Sequence, residues 1–145
     1  MKQSGFTLLE VLVAVLVLAI GLLGLAGLMT SSIRNNQSAY QRTQATWLAY
    51  DIVDRMRVNR AAALASNYNT ALGNPVTCAA SPALAGAMAA QDLTDWKNQI
   101  ACALPAGDGA VTVRADRTVT VTVQWNDSRG INGKTAEPFT IETRL

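Results

Sequence analysis

The apolar and polar positions of the chain fall into successive patterns, each typical of a different element. The first pattern is an apolar run, because Val11 to Met29 contains no charged residue and Phe6–Leu9 just before it is largely apolar. A helix from Phe6 to Met29 would measure roughly 36 Å at ~1.5 Å per residue, which exceeds the ~30 Å of bilayer hydrocarbon. We therefore predict a membrane-spanning helix over residues 6–29.

The second pattern, over residues 30–64, has no proline or glycine and predicts an amphipathic helix that continues the first. Its large apolar residues recur at intervals of seven and then of four, as Ile33, Tyr40, Trp47, Leu48, Ile52 and Met56. We expect this stripe to cover the core of a head domain formed by the rest of the chain. Asp51 and Arg55 have the spacing and order of a favourable helix ion pair on the charged side.

Residues 65–109 are predicted to form a loop that contains one short helix. The segment 61–91 is rich in Ala, Asn, Ser and Thr and is interrupted by glycine and proline, which favours irregular structure. Around Gln91–Leu104 the apolar spacing becomes helical, and Asp92, Thr94 and Asp95 are the candidate N-terminal caps.

The last pattern, over residues 110–145, is strict alternation, which predicts strands with one buried face. Its apolar positions are Val111, Val113, Val119, Val121, Val123, Trp125, Phe139, Ile141 and Leu145. We expect a turn at Ala115–Asp116 and a polar loop at Asn126–Lys134. The fold class is therefore α+β, a long helix packed on an antiparallel sheet of about three to four strands. Trp47, Trp96 and Trp125 are the aromatic core candidates.

Glu10 is the unusual residue of the apolar run. A carboxylate at the bilayer centre costs about 2.5–3.5 kcal/mol on insertion scales, and less near the end of the span. Lys2 lies outside the predicted span, so the residues before Glu10 offer no basic partner inside the bilayer. We expect the counter-charge to come from another molecule, and we treat Glu10 as a functional residue.

The string Lys2…Gly5–Phe6–Thr7–Leu8–Leu9–Glu10 resembles the class III signal of type IV prepilins and type II secretion pseudopilins. The resemblance implies that residues 1–5 are a leader, removed by a prepilin peptidase that cleaves between Gly5 and Phe6. It also implies that Phe6 is then N-methylated, and that Glu10 pairs with the amine of a neighbouring subunit during assembly. An ordinary secretory signal has a shorter apolar core and a small-residue cleavage site behind it.

Three further segments resemble the PilV minor pilins, also called type IV pilus modification proteins: Leu18–Leu28, Asn36–Arg42 and Leu48–Asn59. The fold implied is the type IV pilin fold. The function implied is a minor pilin that primes type IV pilus assembly, lies at the fibre tip, and supports twitching motility and adhesion. A type II secretion pseudopilin and a ligand- or adhesin-binding tip module are the alternatives. The charged segment Asp51–Asn59 is either a solvated face or a docking face for other minor pilins.

The resemblance also implies the partners and location of the protein. The expected partners are other minor pilins, the major pilin, prepilin peptidase, the inner-membrane assembly platform, a tip adhesin, and membrane lipid before assembly. The expected location is the inner membrane, spanned once with the head in the periplasm, and afterwards the pilus tip at the cell surface.

Gly21, Gly24 and Gly27 weaken the second half of the apolar run, since each costs ~1 kcal/mol relative to alanine in a helix. Two roles stay open for them: close packing against another helix, or a soft point at which the helix bends or melts. Major pilins commonly carry a proline near this place, and this chain has Gly27 instead.

Composition argues against catalysis and cofactors. The chain has 145 residues, a net charge of +2 and no histidine, so the commonest general base and metal ligand is missing. We expect no enzyme activity, no cofactor, no metal and no nucleic-acid partner. Cys78 and Cys102 lie beyond the span, in an oxidising space if the head is exported, where we expect them to form a disulfide rather than remain two unrelated thiols.

Overall fold

The computed structural model describes Gly5 and residues 7–130 and 133–145. Within these residues, three helices precede three strands. Their bounds are α1 Leu8–Val58, α2 Arg60–Leu64, α3 Met88–Ala103, β1 Asp108–Val113, β2 Thr118–Trp125 and β3 Glu137–Arg144. The predicted α+β class is confirmed: one long apolar-to-amphipathic helix lies against an antiparallel three-stranded sheet.

Helix α1 runs unbroken for 51 residues, from the first predicted segment into the second. It was predicted to continue to Leu64, but the structure interrupts it after Val58. Asn59 has the non-helical angles φ −106° and ψ 48°, although its N–H still donates to the carbonyl of Arg55 at 3.0 Å. The chain then resumes as the single-turn helix α2, Arg60–Leu64.

The sheet has the order β1-β2-β3, with both neighbouring pairs antiparallel. Val121 at its centre is opposite Val111 on one side and Ile141 on the other. Because side chains alternate across a strand, the valines of β1 and β2 face inward while the threonines face outward, as the alternation predicted. The turn predicted at Ala115–Asp116 is also present, with the left-handed φ of 69° at Arg117.

The core lies between the sheet, the second half of α1, and α3. Trp96 and Ile100 of α3 are fully buried, and Gly109 of β1 lies so close to both that a side chain there would clash. The prediction that Trp96 and Trp125 belong to the core is correct, since their exposed fractions are 0% and 2%.

The prediction that Trp47 also belongs to the core is wrong, because 64% of this residue is exposed. Ile33 and Tyr40 are similarly exposed, whereas Leu48 is buried. Adjacent residues of a helix lie ~100° apart around its axis, so the two predicted repeats form two different stripes. Only the stripe of period four packs on the sheet, through Ala45, Leu48, Ala49, Ile52, Val53 and Met56.

Helix α3 begins at Met88, earlier than predicted, and none of the three predicted caps performs that role. Its N-cap is Ala87, whose side chain forms no capping hydrogen bond. Asp92 and Asp95 bind Arg55 of α1 instead, and Thr94 donates to a backbone carbonyl within α3. Because the helix starts at Met88, Asp92 and Asp95 lie inside it, where they are placed to pair with α1.

Candidate functional site

The apolar half of α1, Leu8–Met29, is exposed along its whole length. It is long and apolar enough to cross a membrane, and none of its most apolar stretch is buried inside the molecule. A helix that is apolar on every side has no face suited to water. This half of α1 therefore needs lipid or other helices around it.

Glu10 lies in the first turn of α1, within this apolar band. Its backbone N–H donates to the side chain of Thr7, the N-cap of the helix, at 3.3 Å. The neighbouring side chains on its helix face are apolar, namely Val11, Ala14, Val15 and Leu18. Among the residues that the structure describes, no cation pairs with the Glu10 carboxylate. The carboxylate is thus available to a charge supplied by another chain.

A second exposed apolar feature lies further along α1. Ile33, Tyr40 and Trp47, here called the outer face, point away from the sheet and are 66%, 61% and 64% exposed. Large aromatic residues are enriched in the buried centres of protein interfaces, where they supply much contact area. The outer face therefore extends the apolar band beyond Met29, on the side of α1 that the head does not cover.

Helix α1 is continuous through Gly21, Gly24 and Gly27, and a Cβ at any of them would meet nothing within 4 Å. Packing within the chain therefore does not require glycine at these positions. Close approach by another helix and local melting both stay predictions.

The charged segment of α1 fastens α3. The Arg55 guanidinium contacts Asp51 at 2.8 Å, Asp95 at 2.8 Å and Asp92 at 3.6 Å. Burial acts to lower the pKa of Arg55, but the hydrogen bond to Asp95 and the charge of Asp51 outweigh it, so the pKa is raised. Part of the predicted docking segment is thus occupied within the chain.

The hydroxyl of Tyr68, in the loop after α2, donates to Asp92 of the same cluster and accepts from Asn59 at 3.2 Å. Burial, together with the hydrogen bond to Asp92, raises the pKa of Tyr68 to about 12. The phenol therefore stays protonated, and the loop start is tied to both helices.

The loop between α2 and α3 is fixed to α3 by a disulfide and by hydrogen bonds. Cys78 and Cys102 form a disulfide with their Cα atoms 4.8 Å apart, as predicted. Next to it, the Asn98 side chain accepts from the N–H of Ala79 at 2.8 Å and donates to its carbonyl at 3.0 Å. The disulfide and the two hydrogen bonds of the Asn98 amide thus attach the same part of the loop to α3.

A nearly buried ion pair holds the earlier part of this loop. Lys97 of α3 contacts Asp108 at 3.1 Å, and Asp108 also accepts from the N–H groups of Gly73 and Asn74 at 2.8 and 3.2 Å. Burial acts to raise the pKa of Asp108, but hydrogen bonds from Gly109, Lys97 and Gly73 outweigh it, so the pKa is lowered. Sequence reasoning missed this pair, because nothing local links Lys97 to residue 108.

Two family models match the chain. The prokaryotic N-terminal methylation motif matches residues 1–26, and the model of type IV pilin Tt1218 matches residues 27–103, just over half of the chain. The protein belongs to the type IV pilin Tt1218 family. No curated protein and no solved structure gives a significant match.

The pilin family accounts for the architecture just described. An exposed apolar helix followed by a compact α+β head is the type IV pilin fold, as the resemblance of the sequence implied. The methylation motif covers the predicted leader, Gly5, Phe6 and Glu10. Lys2 and Phe6 themselves lie outside the described residues, so the cleavage and methylation sites stay predictions from sequence.

Proposed function

We propose that the protein is a minor pilin, a non-catalytic structural subunit that helps to prime type IV pilus assembly and lies at the fibre tip. The observation that carries the proposal is Glu10, a carboxylate in a fully exposed apolar helix with no partner among the described residues. Such an acid is costly in lipid and becomes favourable only when a cation reaches it.

The cation is supplied by processing. Cleavage by prepilin peptidase after Gly5 exposes the amino group of Phe6, which then receives one methyl group and keeps its positive charge. In a medium of low dielectric constant, the attraction between this amine and the Glu10 carboxylate of a neighbouring subunit is far stronger than in water. The pair therefore forms between subunits and sets their register in the fibre.

The two surfaces of α1 support a role as a fibre subunit. The head covers one side of the helix, and the outer face is left for the helices of other subunits, the major pilin and other minor pilins. The PilV-like segments Leu18–Leu28, Asn36–Arg42 and Leu48–Asn59 favour a minor pilin over a type II secretion pseudopilin. A tip position would also leave the head free to carry an adhesin.

The disulfide supports the proposed location. Disulfides persist in oxidising compartments, and the Cys78–Cys102 bond lies in the head. The protein is thus inserted once in the inner membrane with its head in the periplasm, and the assembly platform then transfers it to the pilus.

Processing is tested by mass spectrometry of the protein recovered from sheared pili. The expected N-terminus is Phe6 carrying one methyl group, and Gly5→Val should leave an uncleaved precursor in the membrane. Assembled pili that still contain residues 1–5 would overturn the proposal.

The role in pilus assembly is tested by deleting the gene and then restoring it. Deletion should lower the number of surface pili and abolish twitching motility, and the wild-type gene should restore both. If deletion leaves pili and motility intact but blocks secretion of exported proteins, the subunit is a pseudopilin instead.

A further inference from the structure

A polar cleft lies at the end of the head nearest to the apolar half of α1. It is formed by Arg34 and Gln37 of α1 and by Ser128, Arg129 and Gly130 of the loop after β2, and it encloses about 360 Å³. We call this feature the arginine cleft. Arg34 and Arg129 belong to elements far apart in sequence and meet only because the loop packs against α1.

The floor of the cleft holds the loop in place. Ser38 of α1 donates a 2.6 Å hydrogen bond to Asp127, and the loop is closed by hydrogen bonds from Asp127 N–H to Lys134 and from Gly130 N–H to Asp127. Asp127 is only 5% exposed, and Gln41 beside it is also buried. The Asp127 carboxylate thus lies at the bottom, where it offsets part of the positive charge of the two exposed arginines that form the mouth.

Neither arginine of the mouth has an acidic side chain as an ion-pair partner in the part of the chain that the structure describes. Within the described residues, Arg42, Arg55, Arg57 and Arg114 each have a carboxylate within ion-pair distance, and Arg34 and Arg129 do not. Two guanidinium groups at one opening can hold a phosphate through several charge-assisted hydrogen bonds. The mouth therefore has the chemistry of an anion site.

The position of the cleft along α1 selects the source of the anion. The apolar half of the helix ends at Met29, and Arg34 follows about 7.5 Å further along the axis at ~1.5 Å per residue. The polar headgroup layer of a bilayer is roughly 5–7 Å thick on each side. With Met29 at the edge of the hydrocarbon, Arg34 and the cleft lie at the outer boundary of the headgroup layer, next to the lipid phosphates.

We propose that the arginine cleft binds the phosphate group of an anionic phospholipid in the leaflet from which the head emerges. The bound lipid holds the head against the membrane surface until the subunit is transferred to a fibre. This inference rests on the membrane insertion in the proposed function, but not on cleavage, on Glu10 or on the tip position.

The test uses the full chain in a neutral detergent, with native mass spectrometry to count bound lipid. The probes are phosphatidylglycerol and phosphatidylcholine, whose choline cation the arginines should repel. Wild-type protein should retain phosphatidylglycerol preferentially. Arg34→Ala and Arg129→Ala should each weaken its binding roughly fivefold, and the double variant roughly 25-fold, from the contribution of each basic residue near an anionic membrane.

Arg57→Ala is the matched control, since Arg57 is an exposed arginine on the same helix, far from the cleft. It should bind phosphatidylglycerol as the wild type does. Equal loss in the Arg57 variant, or undiminished binding in the double variant, would overturn the proposal. Displacement of the lipid by equimolar inorganic phosphate would also overturn it, by assigning the cleft to the free ion.

Fibre assays separate this proposal from the proposed function. If the double variant loses lipid but the protein is still processed and incorporated, the minor pilin role stands independently. If the protein proves not to be a pilus subunit but the arginine variants still lose lipid, the lipid site stands.

Discussion

The indole N–H of Trp96 donates a 2.7 Å hydrogen bond to the backbone carbonyl of Leu48. The indole is fully buried, and the carbonyl belongs to the middle of α1. This bond fixes the height at which α3 crosses the long helix, and it satisfies a donor that would otherwise be buried without a partner. Trp47, one residue before Leu48 and ~100° away around the helix axis, is exposed instead.

This contrast predicts that the same substitution, tryptophan to alanine, has very different effects on stability at the two positions. Trp96→Ala should lower the free energy of unfolding by about 3–5 kcal/mol, because it leaves a cavity and removes the bond to Leu48. Trp47→Ala should change it by less than about 0.5 kcal/mol, as for an exposed position. Urea unfolding of the full chain in detergent, followed by the fluorescence of the two tryptophans that remain in each variant, measures both. Similar losses in the two variants would contradict the assignment of Trp47 to the outer face.

The exposure of Trp47 also predicts that its substitution affects incorporation into pili and not insertion into the membrane. If the outer face packs against other subunits, Trp47→Ala should reduce the amount of the protein in sheared pili while leaving the amount in the membrane unchanged. The ratio of the protein in the membrane to that in pili, measured by immunoblot, reports this effect. Equal incorporation of variant and wild type would show that the outer face does not contact other subunits in the fibre.

Glu10→Gln should leave membrane insertion intact and lower incorporation into pili by roughly tenfold or more, since each ~1.4 kcal/mol of lost interaction is a factor of ten. The reason is that glutamine cannot neutralise the amine of a neighbouring Phe6. Glu10→Asp keeps the charge and should retain more incorporation than Glu10→Gln. Normal incorporation of the glutamine variant would show that the carboxylate is not required.

The disulfide predicts a stability loss without a change of fold. Replacing Cys78 and Cys102 together by serine should lower the free energy of unfolding by about 3 kcal/mol, from the larger entropy of the unlinked unfolded chain. In protein whose head has been exported to the periplasm, both cysteines should react with an alkylating reagent only after the disulfide has been reduced. Alkylation without reductant would contradict the bond.

The lowered pKa of Asp108 predicts acid sensitivity. Its contribution to stability is fully present above an unfolded-state pKa of about 3.9 and is lost as the pH falls through the lower folded-state pKa. The free energy of unfolding should therefore fall below about pH 4 in the wild type, and Asp108→Asn should flatten that slope. Asp54→Asn is the control, because Asp54 is exposed. An unchanged slope in the Asp108 variant would assign the acid sensitivity to other groups.

Local sequence was sufficient for the features that depend on neighbouring residues. The apolar run, the alternation of the valines in β1 and β2, and the class III signal with Glu10 are all contiguous or periodic patterns. Helices and strands impose these periods on any chain that buries one face, so the patterns predict the elements directly. The two cysteines allowed only one pairing within the chain.

Other features depend on contacts between distant segments, and the tertiary structure alone decided them. Both stripes of α1 have helical spacing, and only the packing of the sheet selects Leu48 for the core and leaves Trp47 outside. Asp92 and Asp95 have the residue type of a helix cap, but they lie inside α3 and pair with Arg55 of α1. The arginine cleft exists only because the loop after β2 folds back onto α1. A sequence pattern records which faces are apolar or charged, whereas burial and pairing depend on which faces meet.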